Sequence, residues 1–207
     1  MARRNPRSLS ELRSCAAEYL DQFTDPSGHY AFATYDQAAV HDGPLTPADV
    51  LMANLLSLQL GWRDVIPLFA AGDTPETALR QALDAALEEA RSLPALEDCD
   101  DVQVKMPALA LANEMAELAF KGRKRKPWTA VTVSKVLHRL VRNVPLIDSK
   151  VRTFYRLTWA SDIREGLRDD ICRNRIWLEG IASHYPVHDG PMPLTRTADI
   201  LIWMSAR

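Results

Sequence analysis

The stretch WTAVTVSKVLHRLVRNVPLIDSKVR (128–152) determines how the second half of this chain folds. Apolar residues recur in its first part at helical spacing, which predicts a helix over about 129–142. Pro145 disfavours helical backbone at the residue before it, so that helix ends upstream. Asp148 then occupies the position of an N-cap, ahead of a helix predicted over about 149–160. The stretch therefore predicts two helices joined by a short turn, with one carboxylate at the start of the second.

Helical patterns continue on both sides of this stretch. Ser8 and Glu11 form a capping-box pattern that opens a helix over about 8–23. Thr46, followed by a proline at the first helical position, opens a segment that is almost wholly apolar. We interpret this segment as a buried central helix that ends at Gly61.

The remaining segments complete an all-helical pattern. Thr74 caps an amphipathic helix, and further helices are predicted after Gly61 and over 106–120, 163–184 and 195–206. Residues 30–43 fit a strand, a short helix or a packed loop. Because no series of alternating strands and no internal repeat is present, the expected fold class is all-α, a compact array of about eight helices in a single domain over residues 1–207.

Charge is divided unevenly along the chain. Residues 1–120 contain 8 Lys/Arg and 19 Asp/Glu, whereas residues 121–207 contain 17 and 8, which gives net charges of −11 and +9. The division suggests two lobes, an acidic one over 1–120 and a basic one over 121–207. A basic half favours an anionic partner, nucleic acid first. The alternative is that the two halves attract each other within the fold.

The most basic run is GRKRKP (122–127). Its side chains either contact phosphates or form a solvated loop, and the residues concerned are Arg123, Lys124, Arg125 and Lys126. The neighbouring Trp128 could stack on a base, although packing into the core is the commoner arrangement.

Several familiar sites are absent from the sequence. It has no GxxxxGK[ST] or GxGxxG loop for phosphates and no GxSxG nucleophile elbow. His184 and His188 have a spacing that metal ligands can adopt, but Pro186 and Gly190 mark a loop there, and a polar turn is favoured. We predict neither a metal nor another cofactor.

The expected compartment is the cytoplasm. Three cysteines, Cys15, Cys99 and Cys172, lie far apart without a CxxC pair, which is typical of free thiols in a reducing environment. The first residues lack the apolar core of a secretory signal, and no apolar run is long enough to cross a bilayer, so no membrane association is predicted.

The helix TVSKVLHRL (132–140) followed by VPLIDSKVR (144–152) resembles the helix-hairpin-helix DNA glycosylase superfamily. The resemblance covers about residues 128–156, and its most specific elements are Pro145, Asp148, Val151 and Arg152. The whole chain is also similar to an uncharacterised actinobacterial family of unknown function, through TPADVLMANLLSL (46–58) and TRTADILIWM (195–204).

The resemblance implies a glycosylase-like architecture and the chemistry of base-excision DNA repair. In that chemistry a nucleotide is flipped out of the strand, and Asp148 stabilises the oxocarbenium-like sugar or orients water while the N-glycosidic bond breaks. Lys135, on the preceding helix, corresponds to the lysine that forms a Schiff base in lyase-capable members. The phosphate contacts implied are Arg139, Lys150 and Arg152.

Two alternatives to DNA repair stay open. The hairpin of the superfamily is rich in glycine, whereas PWTAVTVS (127–134) has none. The chain is therefore either a glycosylase, a non-catalytic helical binding protein in which Asp148 is only a cap, or an enzyme that uses the same pocket for a small-molecule substrate.

Overall fold

The computed structural model describes residues 7–188 and 190–207. In these residues we number the α-helices in chain order as α1 (Ala16–Thr24), α2 (Pro47–Met52), α3 (Trp62–Val65), α4 (Pro75–Ser92), α5 (Pro107–Ala119), α6 (Ala130–His138), α7 (Ser149–Tyr155), α8 (Ala160–Ala182) and α9 (Leu194–Ser205). Short 3-10 turns lie at Leu9–Leu12, Ala53–Leu56, Ile66–Phe69, Leu96–Asp98 and Gln103–Lys105, and a π-helical turn lies at Phe32–Asp36. The described residues contain no strand, only an isolated bridge between Val187 and Gly190. The predicted all-α class is confirmed.

Capping residues mark the helix starts correctly. Thr46 and Thr74 each accept a hydrogen bond from the backbone N–H three residues further on, at 3.2 Å. Ser8 and Glu11 form the predicted reciprocal box, but on a 3-10 turn, and α1 begins only at Ala16. A cap thus fixes where a helical segment begins, whereas packing decides how far the helix runs.

The prediction of a long, buried central helix that ends at Gly61 is wrong. α2 is six residues long and passes into the 3-10 turn Ala53–Leu56. The chain then reverses at Ser57, whose φ is 65°. Leu51 and Leu55 remain 40% and 44% exposed, so this apolar run is only partly buried. Its composition does not indicate the left-handed residue that ends the turn.

The stretch around Pro145 folds as two helices with a turn between them. α6 ends at His138, earlier than predicted, and the Nδ1 atom of His138 lies 2.8 Å from the carbonyl oxygen of Val144. This bond holds the turn against the helix end. Trp128, ahead of α6, is fully buried and donates its indole N–H to the carbonyl oxygen of Asp64 at 2.9 Å, so it packs in the core.

The acidic and basic halves are joined in one structure. Buried apolar side chains from Leu9 to Met204 form a single hydrophobic cluster. Cations of residues 121–207 also pair with carboxylates of residues 1–120, namely Arg123 with Glu76, Arg125 with Asp64, Arg139 with Asp49, Arg168 with Asp101, Arg175 with Asp98 and Arg196 with Asp36. Part of the charge asymmetry is therefore neutralised inside the fold, which is the attraction between halves that the sequence left open.

Across residues 7–188 and 190–207, none of the helices combines the length and apolar character that crossing a membrane requires.

Candidate functional site

Three helices bring charged side chains together around one pocket of about 170 Å³. Lys135 comes from α6, Asp148 from the N-cap of α7, and Asp199 from α9. The rest of the wall includes the aromatic residues Phe23, Tyr30 and Trp203. The two residues for which the sequence predicted a catalytic role, Lys135 and Asp148, thus line the same cavity.

Asp148 caps α7 with one of its two oxygens. Its Oδ1 atom accepts hydrogen bonds from the backbone N–H groups of Lys150, at 2.8 Å, and Val151, at 3.1 Å. Its Oδ2 atom lies 3.9 Å from the Nζ atom of Lys135, and the side chain is 13% exposed. The cap therefore leaves a second oxygen that faces Lys135.

Lys135 is held on two sides. Its ammonium donates a hydrogen bond to the carbonyl oxygen of Leu56 at 2.7 Å, besides facing Asp148. Leu56 ends the 3-10 turn before the left-handed Ser57, and both residues line the pocket. The unexpected turn after α2 thus supplies the acceptor that fixes the lysine.

A buried ionic network runs from the pocket wall at α9 to Asp36. Arg196 of α9 donates to both carboxylate oxygens of Asp36, each at 2.8 Å, and to Oδ2 of Asp199 at 2.6 Å. Burial raises the pKa of Asp199 to about 7, and the negative charge of Asp148 adds to the rise while Arg196 and Lys135 oppose it. The pocket therefore contains a second carboxylate that binds a proton near neutral pH, beside Asp148.

An aromatic wall faces these charges. The rings of Phe23 and Tyr30 stack at 5.2 Å, and Trp203 meets Tyr30 edge-on at 5.8 Å. The guanidinium of Arg207 lies 4.3 Å from the centre of the Trp203 ring and donates to the hydroxyl of Tyr30 at 2.5 Å. Aromatic faces of this kind stack on planar rings such as nucleobases.

Arg139, predicted to contact phosphate, lies in the interior and is 5% exposed. Its Nη2 donates to the carbonyl oxygen of Ala39 at 2.7 Å, and its Nε lies 3.0 Å from Sδ of Met52 and 3.9 Å from Oδ1 of Asp49. In this arrangement Arg139 supports the segment around α2 and does not face solvent.

The basic run after α5 contains paired and unpaired cations. Arg123 pairs with Glu76, and Arg125 donates to both oxygens of Asp64 at 2.9 and 3.1 Å. Both arginine side chains nevertheless remain exposed, by 53% and 61%, and Lys124 and Lys126 are exposed too. The two arginines hold the run against the acidic half, and within the described residues the two lysines form no ion pair.

The last two predicted phosphate contacts lie on α7. The ammonium of Lys150 donates to the carbonyl oxygen of Ala206 at 3.2 Å. The guanidinium of Arg152 donates to the carbonyl oxygen of Thr158 and closes the end of its own helix. Lys150 therefore lies close to the end of α9.

The possible histidine ligands are not gathered into a metal centre in the described part of the chain, where no group of three or more His, Cys, Asp or Glu side chains is arranged to hold an ion. The Nδ1 atom of His184 lies 2.9 Å from the carbonyl oxygen of Gly180. Asp189, beside these histidines, lies outside the described residues.

The sequence reasoning missed Asp199, Arg196 and Asp36. The signal was available in TRTADILIWM (195–204), where an arginine and an aspartate three positions apart interrupt an otherwise apolar helix. Charged residues at that spacing lie on one helix face, and inside a buried helix they need partners. Asp36, in contrast, follows from tertiary packing alone.

The site thus belongs to an all-α protein with a pocket lined by charged side chains of both signs and by aromatic rings. Residues 14–206 match the model of a family described as a family of unknown function, DUF6308. Because the match spans nearly the whole chain, the protein belongs to this family. None of the curated proteins and none of the solved structures compared with the chain matches it. The likeness to glycosylases around Asp148 stays a prediction.

Proposed function

We propose that the protein hydrolyses the N-glycosidic bond of a nucleotide unit, with the pocket around Asp148 as its active site. The observation that carries the proposal is the convergence of Asp148, Lys135 and Asp199 on one pocket with an aromatic wall. A base would stack on that wall, and the sugar carbon would lie against the carboxylates. Nucleic acid, DNA first, is the leading substrate.

Asp148 supplies the negative charge in this proposal. Breaking the N-glycosidic bond builds positive charge on the sugar, and a fixed carboxylate stabilises that charge without having to reorganise. The capping hydrogen bonds from the start of α7 restrict the movement of the Asp148 carboxylate. A water molecule then adds its hydroxyl group to the sugar carbon, and its remaining proton passes to a carboxylate of the pocket, which completes hydrolysis.

Asp199 supplies the proton. A base leaves more easily when one of its nitrogens is protonated, and an acid is most effective when its pKa lies near the working pH. Burial raises the pKa of Asp199 to about 7, and the negative charge of Asp148 adds to the rise. A pair of carboxylates in one pocket is the pattern of glycoside hydrolysis.

Lys135 acts as the counter-ion of Asp148 in this scheme. Its ammonium is stabilised by the carbonyl oxygen of Leu56 at 2.7 Å and by the carboxylate at 3.9 Å. Both contacts engage the amine that a Schiff-base mechanism needs free to attack the sugar. We therefore assign Lys135 a positioning role.

A second candidate is an enzyme for free nucleosides or nucleotides. It is favoured by the engagement of Arg123 and Arg125 with carboxylates of the acidic half, which reduces the cationic surface that a strand needs. The two candidates share the same bond and the same catalytic groups.

A cytoplasmic location is part of the proposal. All three cysteines are free thiols, which suits a reducing compartment.

The experiment is a comparison of substrates. Purified protein is incubated with free nucleosides, their 5′-monophosphates, and single- and double-stranded oligonucleotides carrying normal, deaminated or alkylated bases, and released base is measured by chromatography. We expect release from at least one class, abolished in Asp148→Asn. If no substrate class loses its base while the same substrates bind, the protein is a non-catalytic binding protein and the proposal is wrong.

A further inference from the structure

A second cleft, of about 160 Å³, lies beside the pocket at the contact between α7 and α9. The last turns of α9 separate the two cavities, because Ile200 and Trp203 line the pocket whereas Ile202 and Ser205 line the cleft. The other side of the cleft is formed by α7 and by the chain at Arg7, whose backbone N–H donates to the carbonyl oxygen of Phe154 at 3.4 Å.

Three cations line this cleft without a carboxylate among the lining residues: Arg7, Lys150 and Arg156. Within the described residues none of the three forms an ion pair, although most arginines of the basic half do. Like charges that share a concave site repel each other unless water or an anion neutralises them. The cleft therefore has the charge of an anion site.

The side-chain donors of the cleft that remain free for a ligand belong to its cations, because its two hydroxyl groups already donate to backbone carbonyls. The hydroxyl of Thr153 donates to the carbonyl oxygen of Ser149 at 2.7 Å, and that of Ser205 donates to the carbonyl oxygen of Ile202 at 2.8 Å. Lys150 gives one N–H to Ala206, which leaves two more on its ammonium. Guanidinium and ammonium groups are the donors that proteins use for phosphate.

The first turn of α7 connects this cleft to the proposed active site. Asp148 faces the pocket, and the backbone N–H of Lys150 donates to its Oδ1 atom at 2.8 Å, while the Lys150 side chain lines the cleft. The pocket and the cleft therefore adjoin the same turn of α7.

We propose that the cleft of Arg7, Lys150 and Arg156 binds a phosphate group. The site itself stands on its own charge and shape. The assignment of that phosphate to the nucleotide whose glycosidic bond lies at Asp148 rests on the proposed function. A free nucleotide and a nucleic-acid strand offer the same phosphate chemistry.

The direct test uses inorganic phosphate, titrated at low ionic strength and followed by calorimetry. We expect saturable binding by the wild-type protein and at least tenfold weaker binding by the double variant Lys150→Gln, Arg156→Gln. Lys105→Gln, which removes a charge from an exposed lysine outside the cavities, should bind as the wild type does. Because Arg156 is exposed, Arg156→Gln alone provides a variant whose fold is not at stake, and it too should weaken binding.

Equal phosphate affinity in the wild type and the double variant would show that the cleft is not a phosphate site.

A base-release experiment then separates the two proposals, with a nucleoside, its 5′-monophosphate and a single-stranded oligonucleotide as substrates. If the wild-type protein binds phosphate but releases no base, the phosphate site stands and the proposed function is wrong. If all three substrates lose their base with the same kcat/KM, and the double variant does not change it, the proposed function stands and the phosphate site does not serve the substrate. A preference for the monophosphate or for the oligonucleotide, lost in the double variant, supports that assignment and identifies the source.

Discussion

The Nζ atom of Lys135 lies 3.9 Å from Oδ2 of Asp148, while Oδ1 of the same carboxylate caps α7. The two oxygens thus serve different purposes, one structural and one directed to the pocket. Asp148 can therefore be both a cap and a catalyst, and substitutions can separate the two roles.

The capping role of Asp148 should appear in stability. Asparagine is as good an N-cap as aspartate, so Asp148→Asn should keep the contribution of the cap to the free energy of unfolding. Asp148→Ala should lose that contribution, roughly 1 kcal/mol. Thr74→Ala, at the N-cap of α4 away from the pocket, provides a matched control and should lose a similar amount. Urea denaturation measures all three, and equal stability of Asp148→Asn and Asp148→Ala would refute the cap assignment.

Lys135 should act through its charge. Replacement by methionine leaves the carbonyl oxygen of Leu56 without its donor, which we expect to cost roughly 1–3 kcal/mol of stability, and it removes the counter-ion of Asp148. With an abasic oligonucleotide and borohydride, the wild-type protein should form no covalent adduct. An adduct that disappears in Lys135→Met would show the lysine to be a Schiff-base nucleophile, as the resemblance to glycosylases implies.

Asp199 should make stability depend on pH. Burial raises its pKa from 3.8 to about 7, so the folded protein holds this proton more tightly than the unfolded chain does. The contribution of Asp199 to stability therefore falls as pH rises from about 4 to about 7 and is constant above that range. Between pH 5 and pH 8, Asp199→Asn should gain roughly 1–3 kcal/mol relative to the wild type in denaturation experiments. A difference that is the same at both pH values would contradict the assignment.

The basic run should show two kinds of cation if the substrate is a strand. Because Arg125 is paired with Asp64, Arg125→Gln should leave the salt dependence of oligonucleotide binding unchanged. Each of the exposed Lys124 and Lys126 that contacts phosphate should lower the slope of log K against log salt by about one when it is replaced. A lower slope in Arg125→Gln would show that the ion pair opens on binding.

How much of this could be inferred from the sequence depends on the range of the interaction involved. Local chemistry was predictable: the cap at Asp148 and the break at Pro145 follow from backbone preferences of neighbouring residues. The end of the helical segment after Thr46 was not predictable. The left-handed residue there is Ser57, whereas glycine or asparagine is the usual signal for such an end.

The candidate site divides in the same way. Asp148 and Lys135 were proposed together because the resemblance to the glycosylase superfamily implies a role for each, on two consecutive helices. The bonds from Arg196 to Asp36 join residues 160 positions apart, and the bond from Lys135 to Leu56 joins residues 79 positions apart. Such contacts arise only when the helices pack, and they are what gives Asp199 its buried, proton-binding environment.

The central claim, that Asp148 is a catalytic carboxylate, is tested most directly by base release from the best substrate under single-turnover conditions. Asp148→Asn preserves the cap and the shape of the side chain while removing its charge, so we expect the rate to fall by about 10²–10³ at unchanged stability, as for the loss of one preorganised electrostatic group. Thr74→Ala should retain the wild-type rate. A wild-type rate in folded Asp148→Asn would contradict the account and leave Asp148 as a helix cap only.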